Sequence, residues 1–400
     1  MISDLAKNKI SLVVIQSTPF CNLNCTYCYL PSRHIRGEMK LDVVEKVFGN
    51  IFKSNRVEGQ LTIVWHAGEP LVLSPDYYDR AFEMIRSAAP KGLEIIHSFQ
   101  TNATIVNDRI VDLIKKWDVK VGVSIDGPEH IHDRFRKDRS GKGTFSRVVS
   151  GIRYLKECGL DLSAICVLSD YSLDYADEIF DFFVSEGIDR VAFNVEEIEG
   201  ENTASTLNTC RAYDRHWRFM SRFWNRSIKE GKISVLRELE EAVLGVIRPQ
   251  GTVVHNSLVE PFSILNIDIM GNASSYSPEF LGFKHEKYGD FCFGNLAEAD
   301  FSTLLESEVY KALTKDVQDG VTACKDSCQY FSVCGGGAPA NKLWENGTVN
   351  STETMFCNLT KKLPTDLAIC LIDSVGAEKI SQLVDKEKSV SSDNAIRPFT

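Results

Sequence analysis

A chain of 400 residues is long for one hydrophobic core and fits two domains. Its 43% hydrophobic and 25% charged residues are ordinary for a globular protein, and no apolar run is long enough to span a bilayer. A net charge of −10 without a basic stripe argues against a nucleic-acid partner, and the lack of a signal-peptide h-region after Met1 makes a cytoplasmic location the expectation.

Six β-like apolar runs alternate with six helical patterns through the first half. The strands fall at 12–16, 61–66, 93–99, 119–125, 162–168 and 191–195. The helices fall at 41–53, 76–88, 107–117, 145–158, 173–186 and 207–229. Alternation of this kind predicts βαβ units and a parallel sheet, and six units predict an α/β partial (β/α)6 barrel, not the full eight-unit form. Functional residues in such folds gather at the C-terminal ends of strands. There the chain carries Cys21 after the first strand, Gly68-Glu69-Pro70 after the second, Thr101-Asn102 after the third and Asp126-Gly127-Pro128 after the fourth.

The stretch 230–255 has the pattern of a helical connector. An apolar strand at 264–269 followed by Gly271-Asn272 predicts a hairpin, and a helix is expected near 301–314. The expected division is a barrel over 9–229, the connector over 230–255, a second domain over 256–377 and a polar, mobile tail over 378–400.

Twelve cysteines without an export signal do not form a disulfide framework. Seven fall into two sets with ligand-like spacing. The other five, Cys158, Cys166, Cys210, Cys292 and Cys370, are expected to be buried structural thiols.

The first set is Cys21-Asn22-Leu23-Asn24-Cys25-Thr26-Tyr27-Cys28. Three thiolates on one short loop can hold three irons of a [4Fe–4S] cluster and leave the fourth iron open to a substrate or cofactor. The alternative, a zinc knuckle, lacks a fourth ligand nearby. This Cys-x3-Cys-x2-Cys spacing after a strand resembles the signature of the radical S-adenosylmethionine (SAM) enzymes. The resemblance implies that the open iron chelates the amino and carboxylate groups of SAM, and that reduction yields methionine and a 5′-deoxyadenosyl radical. His66-Ala67-Gly68-Glu69-Pro70 is similar to the family's Gly-Gly-Glu motif, with Ala67 in place of the first glycine. By resemblance, carbonyls of that bend meet the SAM ammonium and Glu69 adds charge pairing, while Tyr27 lies by the adenine. Ser124 and Asp126 stand where ribose or carboxylate contacts are usual, and Gln100 and Asn102 are candidate polar contacts. Arg136 stands where related enzymes place an arginine near the SAM carboxylate, and Asn194 is a candidate on the adenine side. The bland readings are a helix N-terminal acid for Glu69 and a plain turn for Asp126-Gly127-Pro128.

The second set is Cys324, Cys328 and Cys334, followed by three glycines, with Cys357 further on. It resembles the SPASM extension of radical SAM enzymes that modify peptides, whose usual form has seven cysteines and two auxiliary clusters. This chain departs from that form. Ala338 and Tyr276 stand at cysteine positions, and no cysteine lies between Cys210 and Gly271. The resemblance therefore implies one auxiliary [4Fe–4S] cluster on Cys324, Cys328, Cys334 and Cys357, and one abolished site. Four cysteine ligands make it an electron carrier or a staple, and a structural zinc is the alternative.

Over residues 9–375 the combination resembles ribosomal-peptide maturases. The runs Gln16-Ser17-Thr18-Pro19-Phe20-Cys21, Trp65-His66-Ala67-Gly68-Glu69-Pro70-Leu71 and Tyr276-Ser277-Pro278-Glu279-Phe280 look like the cyclophane-forming, Grr-type members. These join an aromatic ring carbon to a β-carbon two residues along. The expected protein is thus a radical SAM oxidoreductase acting on a ribosomally made precursor peptide, served by an electron donor such as flavodoxin or ferredoxin. Its auxiliary cluster would accept the electron released on rearomatisation, and no residue is marked as the general base. The alternatives are an anaerobic sulfatase-type maturase making formylglycine, a thioether-forming maturase, and a degenerate SAM- or metal-binding scaffold without activity.

Overall fold

Strand β1 (Leu12–Ile15) buries Val13, Val14 and Ile15 in succession, as a strand covered on both faces requires. The computed structural model to which it belongs describes residues 8–249 and 251–376, so the tail expected from 378 onward lies outside the described residues. Helix α1 (Leu41–Lys53) returns over the sheet with Val44, Val47, Phe48, Ile51 and Phe52 on its inner face, the 3.6-residue period of an amphipathic helix. The same unit repeats through β2 (Gln60–Trp65), α2 (Pro75–Ala88), β3 (Glu94–Thr101), α3 (Asp108–Trp117) and β4 (Lys120–Ser124). Two helices follow, α4 (Glu129–Phe135) and α5 (Phe145–Glu157), then β5 (Leu162–Leu168), α6 (Ala176–Ser185), β6 (Arg190–Val195) and α7 (Ala212–Glu230). Local chemistry sets the boundaries. Ser74 caps the Tyr77 N–H with Pro75 in the first turn, and Asn107 caps the Ile110 N–H. Strands β1 to β6 pair in sequence order and in parallel, which gives the expected α/β fold with a mostly parallel central sheet.

The structure differs from expectation at both edges of that sheet. The stretch expected to be a helical connector contributes β7 (Val235–Leu236), paired in parallel with β6, before helix α8 (Arg237–Ile247) begins. The predicted hairpin forms from β8 (Ile264–Ile267) and β9 (Asn272–Ser275), but it does not stand apart. Strand β8 pairs in parallel with β1, and the short β10 (Gly294–Asn295) pairs with β9. One ten-stranded sheet results, with β10 and β7 as its edges. The barrel and the cysteine-rich module also share one main buried core, which runs from Ile10 to Ala368.

The helix expected at 301–314 is two, α9 (Ser302–Glu306) and the longer α10 (Glu308–Ser327), separated by Ser307, whose side chain caps the Tyr310 N–H. Among the described residues four further α-helices follow, α11 (Phe331–Cys334), α12 (Pro339–Asn346), α13 (Met355–Cys357) and α14 (Leu363–Val375), the last two joined by a π-helical segment at Asn358–Lys362. The five scattered cysteines are not all buried as expected. Cys166, inside β5, is buried, while Cys158 and Cys292 are half-buried and Cys210 and Cys370 are exposed. Cys210 lies in the loop before α7, and Cys370 lies on the outer face of α14, where no core claims the thiol. Among the described residues no helix is long and apolar enough to cross a membrane.

Candidate active site and metal centres

The first cysteine loop runs past the C-terminal end of β1 and is pinned by distant backbone. The Cys21 N–H donates to Arg33 O (3.0 Å), Asn24 N–H to Lys137 O (2.7 Å) and Thr26 N–H to Phe135 O (3.0 Å). Arg139 Nε donates to Cys21 O at 2.8 Å. The Leu23 N–H points at Cys21 Sγ from 3.4 Å and Asn102 Nδ2 from 3.9 Å. Burial pushes the Cys21 thiol up to about 12 and the Cys25 thiol up to about 11. Thiolates at these positions need a bound cation to offset that burial, which is what metal coordination supplies.

Beside the loop, the chain leaves β2 through Ala67 (φ +60) and Gly68 (φ +155). A Cβ on Gly68 would lie 2.1 Å from the Thr18 carbonyl oxygen, so glycine is required. Gln16 Nε2 donates to Ala67 O at 2.8 Å, and Glu69 N–H to Phe20 O at 2.9 Å, locking the bend to the cysteine loop. The Glu69 carboxylate accepts from Thr101 Oγ1 (2.6 Å), Asn102 N–H (2.8 Å) and Leu71 N–H (3.0 Å). It thereby ties the end of β2 to the end of β3. Burial nonetheless pushes Glu69 up to about 7. Asn102 faces the loop as well, donating to Asn22 Oδ1 at 2.8 Å. Next along the sheet, Gln100 Nε2 donates to Ser124 Oγ at 2.9 Å.

Tyr27, Asp126 and Arg136 form one buried group. The Tyr27 hydroxyl donates to Asp126 Oδ2, Arg136 donates to Oδ1 at 3.0 Å, and the Val167 N–H donates to Oδ1 at 3.0 Å. The Arg136 guanidinium stands 5.5 Å from the centre of the Tyr27 ring. Its Nε is buried with no hydrogen-bond partner, an orphan donor that an anionic ligand would satisfy. Asp126, expected to meet the cofactor, accepts from three protein donors and holds Arg136 through one of them. Asn194 does not join this group. Its Oδ1 accepts from Arg237 at 2.7 Å, and Arg237 also donates to Phe193 O at 2.7 Å, so Asn194 braces β6 against α8.

The second set converges completely. Cys324 near the end of α10, Cys328 just beyond it, Cys334 in α11 and Cys357 in α13 line one cavity of about 390 Å³. Gly337 N–H donates to Cys334 Sγ (3.2 Å), Thr354 N–H to Cys357 Sγ (3.4 Å) and Lys342 Nζ to Cys324 Sγ (3.3 Å). Among the described residues no three or more His, Cys, Asp or Glu side chains gather closely enough to hold a single metal ion. Four thiols around one cavity are a donor set for a [4Fe–4S] cluster or for a tetrahedral zinc. The two positions where further cysteines would stand are packed solid. Tyr276 is fully buried with its hydroxyl 2.8 Å from Thr314 Oγ1, and Ala338 is buried beside Leu258 and Ile264.

One group went unmarked in the sequence. Glu197 and Glu199 follow β6 and share a hydrogen bond, and Asn341 Nδ2 donates to Glu197 at 2.7 Å. Glu279 and Glu345 face the same pair. Burial, reinforced by these neighbours, pushes Glu279 up to about 8 and Glu199 well above its ordinary value, and burial pushes Glu197 up to about 7. Tyr29, one residue past Cys28, feels Glu279, Glu199 and Glu197, and its hydroxyl lies 3.4 Å from His66 Nε2. The acids therefore face the cysteine loop and the bend. The polar run Glu196-Glu197-Ile198-Glu199 at a strand end was the available signal.

The model of the Radical SAM superfamily matches residues 15–183. An uncharacterized protein of Synechocystis sp. is 39% identical over 92% of this chain and 93% of its own length. A cysteine-type anaerobic sulfatase-maturating enzyme of Clostridium novyi is 24% identical over 88% of this chain and 93% of its own. Among solved structures, native anSMEcpe with bound AdoMet and Cp18Cys peptide superposes with a TM-score of 0.74 at 19% identity, covering 96% of this chain and 99% of that one.

Proposed function

This chain belongs to the Radical SAM superfamily, and from that premise we propose that it is a maturase that oxidises a side chain of a polypeptide substrate. The observation that carries the reading is the convergence of the second thiol set on one cavity in a chain whose first set follows β1 with three thiols only. Cys21, Cys25 and Cys28 would hold the SAM-binding [4Fe–4S] cluster, and Cys324, Cys328, Cys334 and Cys357 an auxiliary one. Bound there, the reduced cluster and SAM supply an alkyl radical able to take hydrogen from an unactivated C–H bond.

The protein's part is to bind, orient and move protons. The Gly68 bend brings backbone carbonyls beside the cysteine loop, and the orphan Arg136 Nε, held by Asp126, offers a donor to a carboxylate. Tyr27 presents a ring on the same loop, and the Gln100–Ser124 pair offers hydroxyl and amide groups. Oxidising a side chain removes a proton as well as electrons, and Glu279 with the Glu197–Glu199 pair can receive it close to neutral pH. One electron would leave with the hydrogen atom taken by the radical and the other through the auxiliary cluster, and a flavodoxin- or ferredoxin-like donor would reduce the first cluster.

Two products fit. Similarity to the sulfatase-maturating enzymes favours formylglycine, made from Cys or Ser. That similarity backs formylglycine over the cyclophane crosslink expected from the sequence. The crosslink remains as a second reading on one observation: Tyr276 and Ala338 fill the second auxiliary site, whereas the sulfatase-type maturases resemble the two-cluster form. The test is anaerobic incubation of the reduced protein with SAM and two peptides, one carrying the Cys or Ser of a sulfatase and one with an aromatic residue two positions from an aliphatic one. An aldehyde captured by a hydrazine reagent supports formylglycine. Loss of two hydrogens without an aldehyde, with fragmentation missing inside a three-residue ring, supports the crosslink. SAM cleavage that alters neither a peptide nor a folded protein substrate would overturn the maturase reading.

A further inference from the structure

Three lysines approach the second thiol set, and one of them differs from the others. Lys361 and Lys362 line the cavity and each pairs with a carboxylate, Glu241 at 3.5 Å and Glu353 at 3.1 Å. Lys342, on α12, is 2% exposed. Its Nζ donates to Cys324 Sγ at 3.3 Å and to Gly320 O at 3.2 Å, and among the described residues no carboxylate pairs with it. The slot is built to fit. A Cβ on Gly320 would lie 3.3 Å from Lys342 Nζ, and a Cβ on Gly337 would lie 3.3 Å from its Cε. A buried ammonium without a counter-charge is costly, so the fold has placed a cation whose natural partner is the negative charge of the Cys324 sulfur and whatever that sulfur binds.

We propose that Lys342 is a positioning and redox-tuning residue of the auxiliary site, its ammonium balancing the charge of the cluster and raising that cluster's reduction potential. The inference rests on the reading that the four cysteines hold a [4Fe–4S] cluster. Reduction adds one negative charge to a cluster already held by four thiolates. A fixed positive charge in hydrogen-bond contact with one of those sulfurs stabilises the reduced form more than the oxidised form. The cluster then accepts electrons more readily, which is what a site receiving electrons from an oxidised substrate requires. Lys361 and Lys362 contribute less, because their own carboxylates offset them.

The experiment uses the full chain carrying Cys21→Ala, Cys25→Ala and Cys28→Ala, so that only the auxiliary signal remains. Iron content and the midpoint potential, followed by electron paramagnetic resonance, are compared for Lys342 and for Lys342→Gln, Lys342→Met and Lys342→Arg. The expected result is unchanged iron, with the reduction equilibrium shifted about tenfold toward the oxidised form in the Gln and Met variants, about 59 mV for one electron. The Arg variant should stay near the parent. Full iron and a parental potential in both neutral variants overturns the proposal. Gln keeps a hydrogen-bond donor, so it reads out the charge even if Met does not fold. An iron-free parent would overturn the cluster reading itself, a result distinguishable from an unchanged potential.

Discussion

Around Cys21, Cys25 and Cys28 the charged neighbours include the carboxylates of Glu69 and Asp126, with Arg136 already paired to Asp126. Around Cys324, Cys328, Cys334 and Cys357 stand three lysines. The first set lies on a loop held by distant backbone, with an unpartnered arginine nitrogen and a glycine bend beside it. The second is carried largely on short helices and supplies four thiols to one cavity. A cluster short of one ligand can exchange its partner, and the polar, unfilled groups of the first site suit a cofactor that is bound and consumed. A fully ligated cluster beside the buried Lys342 suits the storage of an electron. On the proposed reading, the two centres would do different work in one oxidation.

The sharpest break of that contrast is to remove one centre at a time. Replacing Cys21, Cys25 and Cys28 together by Ala should abolish SAM cleavage and lower the iron from about eight to about four per chain. Near twelve irons in the parent would mean a third site. Cys324→Ala or Cys357→Ala should instead reduce product about tenfold or more while uncoupled SAM cleavage persists, since the first set shares none of those ligands. Equal loss of both activities in a folded variant would erase the division of labour.

The acid group beside Tyr29 sharpens the comparison through pH. Glu197 and Glu279 have values of about 7 and about 8 against an ordinary 4.5. As proton acceptors they act only when ionised, so product formation should rise between about pH 6 and pH 9, while SAM cleavage should not follow it. Glu279→Gln should flatten that rise and cost about tenfold in product at high pH. Stability runs the opposite way. A carboxyl whose folded value is raised contributes stability that is present in full below its unfolded value and lost as pH rises through the folded value. The denaturation midpoint should therefore fall from about pH 5 to about pH 8 and level off above that, and less so in Glu279→Gln. A midpoint that rises over that window would contradict the placement of these acids.

What was readable in the sequence follows from how local each signal is. Strands β1 to β6, the cysteine spacing and the turn after β2 are written in neighbouring residues, and they stand where expected. The pairing of β8 with β1 joins residues about 250 positions apart, and nothing in either strand names its partner. The acid group collects positions 197, 199, 279 and 345, and Lys342 meets Cys324 across a helix turn and a glycine run. Each of these is polar in sequence and is brought to its partners only by the fold. Asp126 and Glu69 are singled out by the sequence, but the groups that hold them are not. The backbone N–H groups that occupy them come from other strands.

At the first centre the bend can be tested by size alone. Gly68→Ala sets a Cβ 2.1 Å from the Thr18 carbonyl oxygen, backbone that cannot move aside cheaply. The expected cost is about 1–3 kcal/mol of stability together with a raised KM for SAM, read by denaturation and by SAM titration. A variant that folds at full stability with parental KM would mean that the bend is looser than its geometry.

The smallest effect belongs to Tyr276 and the core packed around it. Tyr276 adopts φ +75, is fully buried, and meets Thr314 through its hydroxyl at 2.8 Å. Tyr276→Phe keeps the ring and removes that one bond. A net hydrogen bond of this kind contributes about 1 kcal/mol, so the denaturation midpoint should drop slightly. If the region is core and not a metal site, iron per chain, the spectrum of both centres and product formation should all stay at the parental level. Loss of iron on removing a single hydroxyl would mean that this tyrosine takes part in holding metal, and the count of two centres would have to be revised.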